Sequence, residues 1–174
     1  MPATKKSPAK STRTTSRAPS NDAIKFLTAD HAEVKELFKQ YDKLMNSEAG
    51  DDEKQEIAQN ICRMLTVHAQ IEEEIFYPAA REVLDDPELI EEAAVEHATA
   101  KDLIAQIEES DPSDDQFDAL VKVLGEYVDH HIQEEQNQIF KEVKKAGLDT
   151  AAIGEDLMAR KEELMASSDE ETSA

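Results

Sequence analysis

Between residues 24 and 143 the large apolar side chains fall into four stripes that step by threes and fours, the spacing of one face of an α-helix. The first stripe is Ile24, Leu27, His31, Val34, Phe38, Tyr41 and Met45, entered near the capping residues Ser20–Asp22. The second is Ile57, Ile61, Leu65, His68, Glu72, Ile75 and Ala79, with Pro78 expected to kink or end it. Ile90, Ala93/Ala94, His97, Ala100, Ile104 and Ile107 form the third, after the Asp86-Pro87 start signal. The fourth is Leu120, Leu124, Val128, His131, Glu135, Ile139 and Val143, with Ser113 and Gln116 spaced as a capping box and Gly147 as terminator. A shorter fifth helix is expected from Thr150 to about Met165. Short connections, such as the one around Gly50, imply an all-α, antiparallel up-down-up-down four-helix bundle.

Each stripe carries a histidine where a leucine would serve, and two of these histidines have a glutamate one turn later. An imidazole or carboxylate facing a bundle core costs several kcal/mol unless it is paired, hydrogen-bonded or bound to metal. The six residues are His31, His68, Glu72, His97, His131 and Glu135. They repeat: each half of the chain offers one histidine from one helix and a His-x-x-x-Glu pair from the next, and i and i+4 share a helix face. That pattern suits two metals bridged by two carboxylates. Four imidazoles and two carboxylates without thiolate favour a borderline metal over structural zinc. Six protein ligands fit a non-haem di-iron centre with open positions, and di-manganese or mixed metals satisfy the same donors. Glu96, Glu73 and Glu134 are available to orient the imidazoles.

The neighbouring pair His130/Glu134 is an alternative register, but it continues to Asn137 and Lys141, whereas the His131 register continues to Ile139 and Val143. His130 is therefore read as a surface or outer residue. Phe38, Phe76, Tyr77, Tyr127 and Phe140 read first as core, with Tyr77 and Tyr127 also candidates to approach the metals.

The chain has 174 residues, enough for one core, and a net charge of -21, which argues against general nucleic-acid binding by the folded part. Residues 1–20 hold five basic residues and no acidic ones among Ser, Thr and Pro, and are expected to form a disordered tail able to touch nucleic acid only weakly. The domain division is residues 1–20 as basic tail, 21–147 as bundle, 148–166 as C-terminal helix and 167–174 as acidic tail. Cys62 is the single cysteine, which agrees with a reducing, cytoplasmic setting and reads as a small core residue. No run of 18 apolar residues and no apolar leader segment is present, so neither a membrane span nor a secretory signal is expected.

Asp30-His31, His68-x-x-x-Glu72 with the following Glu-Ile-Phe-Tyr-Pro, Glu96-His97, and His130-His131-x-x-Glu134-Glu135 with Ile139-Phe140 appear in this order. On these motifs the chain, over residues 22–146, resembles the hemerythrin-like, HHE cation-binding domain family. The resemblance implies an antiparallel bundle around a di-iron site that binds O2 or related small ligands. It also exposes a departure: the family's oxygen carriers place a second histidine four residues on in the third helix, where this chain has Lys101. Their fourth-helix pair ends in aspartate five residues on, where this chain has Glu135 at four. A centre short of one nitrogen ligand is expected to favour peroxide, NO or redox turnover over reversible O2 carriage.

The leading functional expectation is a metal-binding protein that takes O2, NO or peroxide for sensing, storage or stress protection. Two others stand beside it: an enzyme decomposing peroxide or acting as an oxidase at the same centre, and an iron-sensing or iron-donating module. Oligomeric state is not legible.

Overall fold

The computed structural model describes residues 22–47 and 50–172, so the basic segment 1–20 lies outside the described residues. The helices are α1 (Ala23–Met45), α2 (Asp51–Ile71), α3 (Tyr77–Val83), α4 (Glu88–Glu109), α5 (Phe117–Glu134), α6 (Phe140–Ala146) and α7 (Thr150–Thr172). A π-helical turn, π1 (Glu72–Phe76), joins α2 to α3, and a second, π2 (Glu135–Ile139), joins α5 to α6. The bundle thus consists of α1, the rod α2–π1–α3, α4 and the rod α5–π2–α6. Around the ring α1 packs on α2 and α5, and α4 packs on α5 and α2.

Local chemistry sets the ends. Asp22 accepts the Lys25 N–H at 3.0 Å and caps α1. Asp86 accepts the Glu88 N–H at 3.0 Å in the same way ahead of α4. Gly147, with φ of 79°, closes α6 by sending the Leu148 N–H to the Val143 carbonyl at 3.1 Å, a Schellman ending.

The capping box expected at Ser113 and Gln116 does not form. Asp111 takes both the Ser113 N–H at 2.9 Å and its hydroxyl at 2.6 Å, so a local turn wins and α5 starts at Phe117. Pro78 neither ends nor breaks its rod, because π1 lies just before it and helix continues to Val83. The extra residue per turn in π1 rotates the helix face, so Phe76, Tyr77 and Ala80 are buried in place of the expected Ile75 and Ala79. Met45, at the frayed end of α1, is exposed rather than core.

The C-terminal helix is not short. α7 spans 23 residues, as many as α1, and runs through most of the stretch read as an acidic tail, where neither glycine nor proline stops it. It lies on α1, α2 and π1, buries Leu157, and is pinned by Thr150 to Asp22 at 2.8 Å, Lys161 to Asp30 at 2.7 Å and Arg160 to Glu74 at 2.7 Å. Among the described residues no helix is long and apolar enough to cross a membrane.

Two apolar clusters fill the core. One gathers Leu27, Ile71, Phe76, Ala80, Ile90, Phe140 and Val143, and the other Val34, Ile61, Leu65, Ile104, Leu124, Val128 and Ile132. On α1 the first cluster ends at Leu27 and the second starts at Val34, leaving one layer between them for His31 and its partners.

Candidate metal centre

That layer is polar. His31, His68, Glu72, His97, His131 and Glu135 are all buried, from four different rods, with Glu72 at 0% exposure and Glu135 at 1%. His31 Nε2 lies 3.0 Å from His68 Nε2 and 3.2 Å from Glu135 Oε2. His68 Nε2 lies 3.2 Å from Glu72 Oε1, while Glu72 Oε2 lies 3.4 Å from His97 Nε2. His97 Nε2 and His131 Nε2 are 3.3 Å apart. Two donor groups result, His31/His68/Glu72 and Glu72/His97/His131, each with its ligand atoms within 4.8 Å of one another. Glu72 belongs to both. His130 points away: it is exposed and pairs with Glu134 at 3.4 Å.

Both oxygens of Glu72 and Oε2 of Glu135 are buried without a hydrogen-bond partner. Three orphaned carboxylate oxygens are a large cost for a folded chain, unless a cation meets them. The spacing agrees with that reading: two ligand atoms about 2.1 Å from one ion sit ~3.0 Å apart at a right angle and ~3.4 Å apart in a tetrahedron. Nitrogen and carboxylate oxygen donors of this kind suit a borderline divalent cation. The residues therefore fit a pair of metal ions sharing Glu72.

Outer partners hold the imidazoles, and they follow the same internal twofold. Asp30, just before His31, faces His68 Nδ1 at 3.4 Å; Glu96, just before His97, faces His131 Nδ1 at 2.6 Å. Glu73, just after Glu72, faces His97 Nδ1 at 3.0 Å; the amide of Gln136, just after Glu135, lies 3.0 Å from His31 Nδ1. With Nδ1 facing a carboxylate acceptor, the rings of His68, His97 and His131 turn Nε2 inward, while at His31 Nδ1 faces the donor nitrogen of the Gln136 amide. Glu96 and Glu73 are among the orienting carboxylates expected from sequence, whereas Glu134 serves only His130. Asp30 and Gln136 were missed in that role, although their positions beside the repeated His and Glu carried the signal. Tyr77 also reaches the layer: its hydroxyl donates to Glu135 Oε1 at 3.1 Å and lies 3.3 Å from His97 Nε2. Tyr127 stays half-buried at the edge.

Burial alone would lower the His68 pKa, but Glu72 and Asp30 outweigh it and push it up to about 10. His131 is raised too, its burial outweighed by Glu96 and Glu135. Burial opposes ionisation of Glu72, yet His68 and His97 hold it well below the usual carboxylate range. Tyr77 is pushed far above the usual phenol range by burial and by Glu135, so its proton stays on. Without a metal the layer keeps its balance with protons, which a binding cation must displace.

Beside the layer lies a small cavity of about 30 Å³, walled by Val34, Leu65, Ile104, Val128 and Ile132 and floored by the histidines. Lys101 is at its rim, where its ammonium holds Glu73 at 2.6 and 2.7 Å. The residue standing in place of a further histidine thus braces the carboxylate that orients His97.

Comparison with known proteins agrees with this geometry. A hemerythrin HHE cation binding domain-containing protein from Mycobacterium kansasii has the same fold, with a TM-score of 0.70 at 21% identity over 84% of this chain and 88% of that one. A DNA nickase from Nostoc sp. is 30% identical over 116 residues, 66% of this chain but 31% of the nickase, so this chain spans about a third of that protein's length. The pattern of the Hemerythrin HHE cation binding domain matches residues 22–143, which takes in every rod of the bundle and leaves α7 outside. The chain belongs to the hemerythrin HHE cation-binding domain family, and it is a metal-binding member of it.

Proposed function

We propose that this protein holds two non-haem irons in its central layer and binds a small ligand there, O2, NO or peroxide, for sensing, storage or stress protection. One observation carries the reading: Glu72 is fully buried, its two oxygens lack hydrogen bonds, and they face His68 and His97, one from each donor group. His31, His68 and Glu72 would hold one ion, and His97, His131 and Glu72 the other, with Glu135 beside His31. Bound iron supplies the redox chemistry and the open coordination positions.

The chain's own groups do the rest. Asp30, Glu96, Glu73 and Gln136 orient the rings. Tyr77 keeps a proton on its hydroxyl and directs it at Glu135 Oε1. The apolar walls of the small cavity exclude bulk water and leave room for a neutral ligand the size of one or two waters. Lys101, braced on Glu73, adds no fifth imidazole, which supports ligand activation over reversible carriage.

Metal analysis of the purified chain, followed by absorption spectra without air and after adding O2, NO and peroxide, tests the proposal. Two irons per chain and a ligand-dependent charge-transfer band are expected. One zinc per chain with no spectral response would end it.

A further inference from the structure

The central layer has a second approach, of opposite chemistry to the apolar cavity. A narrow cleft between α4 and π2 is lined by Glu92, Glu96, Glu134 and Gln138, with Leu89 and Ile139 among them, and reaches His131 and Glu135. None of its lining residues is lysine or arginine. Glu92 and Gln138 are exposed at the rim, Glu134 is half-buried, and His131 and Glu135 lie at the buried end. There the Oε2 of Glu135, at 1% exposure, has no hydrogen-bond partner. At the mouth, Glu96, His130 and Glu134 bring one donor atom each within 4.8 Å of one another. That group is separate from the six residues of the centre, and the proposed function gives His130 and Glu134 no task.

We infer that this cleft is the route by which a divalent cation reaches the centre, with Glu96, His130 and Glu134 as a transit site at its mouth. The inference rests on the metal-binding reading above. A dication entering by the apolar cavity would pass the Lys101 ammonium at its rim and shed its water against Val34, Leu65 and Ile104 before meeting the histidines at the floor. In the cleft, carboxylates replace that water in sequence, ending at the Glu135 oxygen that has no hydrogen bond and faces His31. A cleft of one charge sign also concentrates counter-ions and raises arrival rates by about 10–10³. The exposure of His130 and the half-burial of Glu134 suit a transit site, because donors reached by water bind weakly enough to pass the ion on. The two approaches divide the traffic: a neutral small ligand on the apolar side, the cation on the acidic side.

The test measures both directions of exchange on the full chain, with anaerobic Fe(II) loading of the metal-free protein and transfer from the loaded protein to a chelator. The variants are Glu92→Gln combined with Glu134→Gln, and His130→Ala. Glu109→Gln, an equal change of charge per site at the far end of α4, is the control. Glu96 is left intact because it orients His131. A residue on a route lowers the same barrier from both sides, whereas a ligand shifts the equilibrium. Loading by the double variant is expected to slow about ten-fold at low ionic strength. Release should slow by the same factor, the final two ions per chain should be unchanged, and the control should match wild type. Unaltered rates would overturn the inference. So would slower loading matched by faster release, or equal slowing in the control. A chain that takes up no metal at all sinks the metal-binding reading along with the route; two ions loaded at rates indifferent to these charges sink the route alone.

Discussion

Glu72→Gln separates a shared carboxylate from an ordinary ligand. The side chain is fully buried, and its oxygens lie 3.2 Å from His68 Nε2 and 3.4 Å from His97 Nε2, one in each donor group. An ion present at a hundred times its Kd stabilises the folded chain by about 2.7 kcal/mol. Two such ions give about 5 kcal/mol, or about 10–20 °C in Tm for a chain of this size. Glutamine keeps the shape but removes the buried charge that His68 faces, so each protein is compared with its own metal-free form. The variant's metal-dependent shift should nearly vanish, since both ions lose the same donor. His131→Ala removes a donor from one group only and should keep about half the shift. Thermal unfolding by circular dichroism, in chelator and in anaerobic Fe(II), reads all six values. Retention of half the shift or more by Glu72→Gln, or its complete loss in His131→Ala, would refute the shared-carboxylate reasoning.

His130→Ala, at an exposed position, should leave equilibrium metal content intact and stability within about 0.5 kcal/mol, in contrast to His131→Ala; metal analysis and melts decide the register. At the far end of the bundle the Tyr41 hydroxyl donates to Asp118 at 2.6 Å and Lys54 adds an ion pair at 2.9 Å. Burial opposes the Asp118 charge, but Tyr41 and Lys54 hold its pKa below the ordinary 3.8, so its contribution is complete above 3.8 and fades as pH falls through the lower folded value. Tyr41→Phe should therefore cost about 1.5–3 kcal/mol at neutral pH and progressively less in acid, measured by denaturant unfolding across pH. Gly147→Ala places a side chain at φ of 79° and should cost about 1–2 kcal/mol, read as an equal loss in unfolding free energy with and without metal.

Much of this protein is readable without coordinates. A helix buries one face every three or four residues, so the stripes Ile24 to Tyr41 and Leu124 to Val143 announce amphipathic helices directly. A histidine on such a face is a local contradiction, and four of them with Glu72 and Glu135 mark the polar layer. The inward choice of His131 over His130 rests on the same periodicity, and the HHE resemblance on the order of the His and Glu motifs. What periodicity hides is where it changes. The π turns begin at Glu72 and Glu135 themselves, and the extra residue in each advances the face from Ile75 to Phe76 and Tyr77. The length of α7 escaped for a related reason: its weak stripe gives little sign of packing, and its hold comes from Lys161 and Arg160 reaching residues far away in the chain.

The sequence by itself determined the helices and the six polar residues that their buried faces must share, because burial and helical spacing are local properties. Only the tertiary structure decided which atoms face which. Glu72 divides its two oxygens between both halves, Glu73 and Gln136 each serve the opposite half's histidine, and one side of the layer opens on an apolar cavity while the other opens on an acidic cleft. Those facts depend on distances between rods. No spacing along a single chain encodes such a distance until packing sets the rods side by side.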